Sequence, residues 1–254
     1  PGKSSSWRQW AERLRQEAAT TTTLDELTYW HEQTQATHPL PLDNPAGRNT
    51  IGHSRTYQAV LDQAATRALL HDIPAVFHTR INDVLLTGVT SAIGTWTGDD
   101  HIRLDLEGHG REELFDDIDI SRTTGWFTTI SPLRLPVPAT TALGNGLKHI
   151  KEALRTRPRQ GIGYGLLAHS HTETRDTLQP TTPAQISFNY LGQFDETLAS
   201  SFAASSGQAG PDWHPDNHRP YLIDIVSHIH NGRLHMQWTY DSDTHTTHTI
   251  QQVA

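Results

Sequence analysis

The sequence predicts an α/β fold with a mixed sheet and flanking helices. Segments with apolar residues at helical spacing alternate with segments whose apolar residues fall on every second position. The clearest strand signal is YLIDIVSHIHNGRLHMQWTY, in which Asn231 and Gly232 match the two-residue loop of a type I′ hairpin. That loop pairs positions whose numbers sum to 463. One apolar face of the hairpin is then expected to be buried.

Composition limits the classes of function. The chain has 254 residues, a formal charge of −8 and no cysteine. Its length suits one large domain or two small ones, and its negative charge disfavours nucleic acid as a partner. No stretch approaches the roughly 20 apolar residues that span a bilayer, so we expect a cytoplasmic protein with no membrane partner. Without cysteine, any nucleophile is an oxygen or an imidazole.

The beginning of the chain is predicted to be helical. SWRQWAERLRQEA places four apolar residues at helical spacing: Trp7, Trp10, Leu14 and Ala18. The next segment, TTTTLDELTYWHEQT, has the pattern of a capping box, with Thr23 as the cap and Glu26 three positions later. Prolines, Asn, Asp and Gly then indicate a linker at about 38 to 49.

The following elements alternate between strand and helix. SRTYQAVL is predicted to be a strand, Asp62 caps a helix, and NDVLLTGVTSAIGTWTG forms a longer helix. GWFTTISPLRLPV and AQISFNYL are predicted strands on either side of a helix in LGNGLKHIKEALRTRP. HIRLDLE lies between the long helix and GWFTTISPLRLPV, and its Leu104 and Leu106 face the core. Glu107 therefore lies on the other face of its strand.

Glu107 is the strongest candidate for chemistry. A carboxylate at the end of a strand, followed by Gly108 and Gly110, is well placed to act as a general base on a closely approaching substrate. The alternative is that EGHGREELFDD is only a polar turn into a capped helix, with Glu107 paired to Arg111. His109 is a second acid or base candidate, or a residue that holds the turn.

Other motifs give weaker signals. RQGIGYGLL follows a helix and lacks the spacing of a dinucleotide fingerprint, so it is predicted to be a tight turn into a helix with exposed backbone. His228 and His235 face one another across the hairpin, but no third metal ligand lies at suitable spacing. We therefore assign no metal site. There is also no Gly-x-Ser-x-Gly elbow.

Four blocks in order resemble an epimerization domain of a nonribosomal peptide synthetase, a member of the condensation-domain superfamily. They are DLEGHGRE, SRTTGWFTTISPLRL, RPRQGIGYGLL and SFNYLGQFD, and the likeness extends over nearly the whole chain. The EGHGRE form favours epimerization over peptide-bond condensation. The family's His-His-x-x-x-Asp motif does not occur here. The chain therefore resembles the C-terminal lobe of a two-lobed enzyme.

This resemblance implies a chloramphenicol-acetyltransferase-like (CoA-dependent acyltransferase) lobe. Residues 1–45 would be a helical segment leading from a missing N-terminal lobe, and residues 46–254 the C-terminal lobe. Glu107 matches the family's catalytic glutamate, and Asn189 and Tyr190 match residues near its reaction centre. The segment around GWFTTISP would form the channel floor, and the stretch after Phe194 would be a latch to the other lobe.

The resemblance also implies an activity and its partners. The activity would be that of an isomerase in antibiotic biosynthesis, an amino-acid epimerase acting on an aminoacyl or peptidyl thioester. The substrate would be presented on the phosphopantetheine arm of a peptidyl carrier protein, with no cofactor of the lobe's own. The N-terminal lobe and neighbouring synthetase domains would be further partners, and this fragment alone is expected to be inactive. An amide-forming condensation lobe and a non-catalytic docking lobe remain the alternatives.

Overall fold

A computed structural model describes residues 4–170, 172–179, 182–193, 210 and 212–254. The strands in this part of the chain are β1 (Ser54–Val60), β2 (His101–Gly108), β3 (Thr129–Pro136), β4 (Ile186–Gln193), β5 (Ile223–His230) and β6 (Arg233–Asp241). The α-helices are α1 (Trp7–Ala18), α2 (Thr21–Leu24), α3 (Leu27–Gln33), α4 (Gln63–Arg67), α5 (Ile73–Phe77), α6 (Ile81–Thr97), α7 (Leu143–Thr156), α8 (Ile162–Gly165), α9 (Thr172–Leu178) and α10 (Thr247–Val253). The α/β fold is thus confirmed.

The chain divides into two compact units, each assembled from separate stretches. The first contains residues 1–37, 103–134 and 153–184. The second contains residues 38–102, 135–152 and 185–254. Each unit combines strands with helices.

The second unit contains a mixed sheet with the strand order β1, β6, β5, β4. β4 and β5 are parallel, whereas β5 and β6, and β6 and β1, are antiparallel. The hairpin has the predicted register, with Ile223 opposite Tyr240, and Asn231 and Gly232 both have positive φ, as a type I′ turn requires. Its buried face includes Ile225 and Trp238. The hairpin prediction is confirmed.

Helices α6 and α10 also belong to this unit. Five residues of α6 were predicted to face inward; Val84, Leu85, Val89 and Ile93 are buried, and Trp96 is half-buried. α10 contacts both α6 and β1, and Thr246 caps its first turn by accepting a hydrogen bond from the backbone N–H of Thr249. Asp62 caps α4 in the same way, as predicted.

The first unit contains the neighbouring strands β2 and β3 and two aromatic core clusters. One cluster consists of buried Trp10, Ala18, Ile120, Phe127, Ile162 and Leu166. The other consists of Trp30, Leu167, Ala168 and Leu178. Both combine α1 or α3 with the segment that follows Gly161. Packing of tryptophan against distant segments therefore provides much of this unit's core.

Two local predictions in this unit are wrong. The capping box at Thr23 and Glu26 does not form, because Thr20 caps α2 and the Thr23 hydroxyl donates to the carbonyl of Glu17. β3 begins at Thr129 rather than at Gly125. At the first place the Thr23 hydroxyl binds a carbonyl 6 residues earlier in the chain, and at the second Phe127 packs into the aromatic cluster with Trp10.

Among the described residues, no helix combines the length and the apolar character needed to cross a bilayer.

Candidate functional site

Glu107 lies on β2, one residue before the strand ends, and is partly buried. The predicted alternation holds on one side, where Ile102, Leu104 and Leu106 are buried. The opposite side is not simply exposed, because Arg103 is buried and its guanidinium donates to the carbonyl of Thr34 at 2.8 Å. The strand that carries Glu107 is therefore covered on both faces near its start.

The glycines after Glu107 lie against the segment before β3. A Cβ on Gly108 would come within 3.1 Å of the Thr129 hydroxyl, and one on Gly110 would collide with the carbonyl of Phe127. Gly110 also has a φ of +67°, which disfavours any side chain. The backbone after Glu107 is thus in direct contact with residues 127–129, and only glycine fits at position 110.

Residues 109–128 form an irregular loop rather than the capped helix of the alternative reading. Arg111 holds this loop, because its guanidinium donates to the carbonyls of Ile120, Thr123 and Gly125 at 2.8 to 3.1 Å. The same guanidinium lies 4.0 Å from the centre of the Phe127 ring. Arg111 therefore ties the beginning of the loop to its later part, residues 120–127.

His109 is exposed beside Glu107. Its Nδ1 accepts a hydrogen bond from the backbone N–H of Arg111 at 2.9 Å, which places the proton of the neutral ring on Nε2. That Nε2 lies 3.4 Å from the carboxylate of Glu112. These contacts agree with the expectation of a histidine that holds the turn.

Asn189 and Tyr190 lie next to each other on β4, in the second unit. The backbone carbonyl of Asn189 accepts from the Ser227 hydroxyl at 3.4 Å. Directly after Tyr190 the register with β5 shifts, as in a β-bulge, a feature that often redirects side chains near functional sites. Burial raises the pKa of the Tyr190 phenol.

A buried polar cluster in the first unit was not predicted. The Glu26 carboxylate accepts from the indole N–H of Trp30 at 2.9 Å and from the guanidinium of Arg159 at 2.5 Å. Arg159 also donates to Glu17 and to the Thr23 hydroxyl. A Cβ on Gly163 would collide with the Glu26 carboxylate. The backbone of RQGIGYGLL is therefore buried against this cluster at Gly163, where exposed backbone was predicted, whereas a Cβ on Gly165 of the same stretch would meet no atom within 4 Å.

The histidine pair lies across the hairpin as expected. His228 and His235 face each other with stacked rings 5.2 Å apart, and Gln58 contacts His235 at 2.9 Å. In the described part of the chain, no three His, Cys, Asp or Glu residues converge to hold a metal. The predicted latch after Phe194 begins in residues 194–209, outside the described residues.

Comparisons with known proteins identify the family. A family model described as "Condensation domain" matches residues 1–254. A linear gramicidin synthase of Brevibacillus parabrevis is 39% identical over 100% of this chain, which covers 3% of that protein. Surfactin synthase subunit 1 of Bacillus subtilis (strain 168) is 37% identical over 99% of the chain, which covers 7% of it. The chain thus spans a small part of these relatives.

Solved structures agree with this result. The epimerization domain from the third module of tyrocidine synthetase B is 34% identical, with a TM-score of 0.89 over 100% of this chain and 57% of that one. A cyclization-docking bidomain from Sorangium cellulosum has a TM-score of 0.67 at 15% identity, covering 97% of this chain and 49% of its own, and supports the fold alone. The fold is that of the CoA-dependent acyltransferase-like lobes. The chain belongs to the condensation-domain family of nonribosomal peptide synthetases.

Proposed function

We propose that the chain is the C-terminal lobe of an epimerization domain and that Glu107 is its general base. The main observation behind this proposal is the EGHGRE stretch. It places the partly buried carboxylate of Glu107 at the end of β2, beside the backbone of two glycines. The 34% identity to the epimerization domain from the third module of tyrocidine synthetase B supports this assignment. The substrate would be an aminoacyl or peptidyl thioester on the phosphopantetheine arm of a carrier protein.

The chemistry requires removal and return of one proton. A thioester acidifies its α-carbon, because the electron pair left by the breaking C–H bond is delocalised into the carbonyl as an enolate. The Glu107 carboxylate accepts that proton. Return of a proton to the opposite face then inverts the centre, and by resemblance a histidine of the N-terminal lobe supplies it. A positioned base typically contributes about 10² to 10⁴-fold to such a rate.

Hydrogen-bond donors near the thioester oxygen would stabilise the enolate. By resemblance, Asn189 or Tyr190 is proposed for this role, and backbone amides near Gly108 are the alternative. The protonated phenol of Tyr190 can donate a hydrogen bond. The chemistry calls for no cofactor bound by the lobe itself. The carrier protein, the N-terminal lobe and neighbouring synthetase domains would be its partners.

A condensation lobe is the second candidate, because the matching family model carries that description and the curated relatives are synthases. Such a lobe would help to join two carrier-bound aminoacyl groups. Product analysis separates the two functions: condensation yields a new amide, whereas epimerization yields only inverted chirality. A mixture of L and D aminoacyl thioesters without any amide would support epimerization.

The test is a Glu107→Gln variant in the complete two-lobed domain. We expect the rate of deuterium incorporation at the α-carbon of a carrier-bound aminoacyl thioester to fall at least about 100-fold. Glu113→Gln is the matched control, because Glu113 is an exposed carboxylate of the same loop, and it should retain the rate. Exchange at the unmutated rate in the Glu107 variant would rule out this base.

A further inference from the structure

The first unit contains a cavity of about 410 Å³ beside the loop that follows Glu107. Its walls come from α1, from the segment around β3's start, and from α8 with the turn beyond it. The large apolar residues in these walls are Trp7, Trp10, Leu14, Trp126, Phe127, Ile130, Ile162 and Leu166. This volume lies within the roughly 300–1,000 Å³ range of sites that hold small molecules.

The cavity adjoins the proposed base through two residues. Gly110 lines it and follows Glu107 by three positions, so their Cα atoms lie within about 11 Å. Ile130 also lines it. The contacts of Gly108 with Thr129 and of Gly110 with Phe127 place Ile130 opposite Glu107.

At the other end of β2 and β3, the backbone N–H of Val137 donates to the carbonyl of Asp100. This hydrogen bond fits the same register, in which Ile130 lies opposite Glu107. Side chains directly opposite one another on neighbouring strands have Cβ atoms about 4.5–5.5 Å apart. Ile130 is therefore the part of the cavity wall that lies next to Glu107, and a substrate whose α-carbon meets Glu107 would have its own side chain on the side of that wall.

The lining determines which side chain fits. The described residues around the cavity carry no carboxylate, ammonium or guanidinium group, and His169 is the one ionisable side chain among them. A cationic side chain would lose its hydration there without an anionic partner, which is costly. Large apolar surface stays exposed at the rim, where Trp126 is 80% and Ile130 49% exposed. Covering such surface with an apolar group is favourable.

We infer that this cavity binds the side chain of the thioester-bound amino acid and selects a large apolar residue, aromatic or branched aliphatic. The inference rests on the proposed function, because it takes Glu107 as the group that meets the α-carbon. Gly165 is the position that can test it. Gly165 lines the cavity, and a Cβ there would meet no atom within 4 Å. A longer side chain at this position would fill the space without a backbone clash.

The experiment uses Gly165→Leu in the complete two-lobed domain, with carrier protein loaded with L-phenylalanine, L-leucine or L-alanine as a thioester. Deuterium incorporation at the α-carbon gives kcat/KM for each substrate. We expect kcat/KM to fall about 10-fold or more for phenylalanine and leucine, and less than about 3-fold for alanine. Gly88→Leu is the matched control, because Gly88 is a helical glycine of the second unit with equally open surroundings. It should leave all three substrates unchanged.

Two results would overturn the inference. One is an equal loss for all three substrates, which would mean that the cavity receives a side chain of the other lobe. The other is no loss for any of them. If Gly165→Leu does not fold, Gly165→Ala provides a smaller change of the same sign, and its phenylalanine-to-alanine ratio must still fall. Failure of Glu107 as the base would appear separately, as undiminished exchange in Glu107→Gln.

Discussion

Replacement of Gly163 by alanine tests the buried cluster around Glu26 directly. The added methyl group would lie far closer to the Glu26 carboxylate than the 3.0 Å limit of real Cβ contacts. Glu26 and Arg159 are both largely buried, with side chains 10% and 17% exposed. The carboxylate must therefore move out of its ion pair, since the alternative is displacement of the α8 backbone.

The expected loss of stability comes from the groups that lose their partner when the Glu26 carboxylate moves. Separating a buried ion pair costs about 3–5 kcal/mol, and an unsatisfied indole N–H at Trp30 costs about 1–3 kcal/mol. The two terms share one carboxylate, so they do not add fully. We expect Gly163→Ala to lower the free energy of unfolding by about 3–5 kcal/mol. This is a large part of the roughly 5–15 kcal/mol that stabilises a typical domain.

The assay is urea denaturation, with the change read from the midpoint at constant slope. Gly165→Ala and Gly88→Ala are matched controls, because a Cβ at either position meets no atom within 4 Å. Both should be neutral or stabilising by up to about 1 kcal/mol. In a Glu26→Ala background, Gly163→Ala should cost little. Equal stability of Gly163→Ala and Gly165→Ala would refute this reasoning.

Two further predictions concern the loop and pH. Arg111→Lys should speed amide exchange in residues 120–126 by about 10-fold or more, because one ammonium cannot reach three carbonyls in a plane; unchanged protection would show that the loop is held by its aromatic packing alone. Burial lowers the pKa of His245 and His228 below 6.5, so the folded chain binds their protons less readily than the unfolded chain. The stability that these neutral histidines contribute is complete above about pH 6.5 and is lost as the pH falls. The melting temperature should therefore fall less between about pH 7 and pH 5 in His245→Gln than in the parent chain. An equal fall in both would contradict this assignment.

Elements with one buried face were predictable because their periodicity is local. The hairpin around Asn231 was predicted to its register, since a two-residue turn fixes every pair that follows. The same alternation placed Glu107 on the correct strand. By contrast, Thr23 and Glu26 resemble a local cap, but Glu26 binds Arg159, which is 133 residues away in sequence. No local pattern reports such a contact.

The loop between β2 and β3 shows a second limit of sequence patterns. Residues 109–128 form neither a helix nor a strand. They are held by the hydrogen bonds of Arg111 and by packing in the aromatic cluster around Trp10. The cavity beside this loop was not predicted for the same reason, because its walls come from three separate stretches. The roles of Asn189 and Tyr190 came from the resemblance alone and stay predictions.

The division of the chain into interleaved stretches has a consequence for its synthesis. The first unit needs residues 153–184, and the second needs residues 185–254, so neither can be completed while the chain is still short. At about 5–20 residues per second, helices α1 and α3 wait several seconds during translation for the segment after Gly161 that covers their tryptophans. Within this part of the protein, chaperone binding during translation should therefore concentrate on residues 4–37.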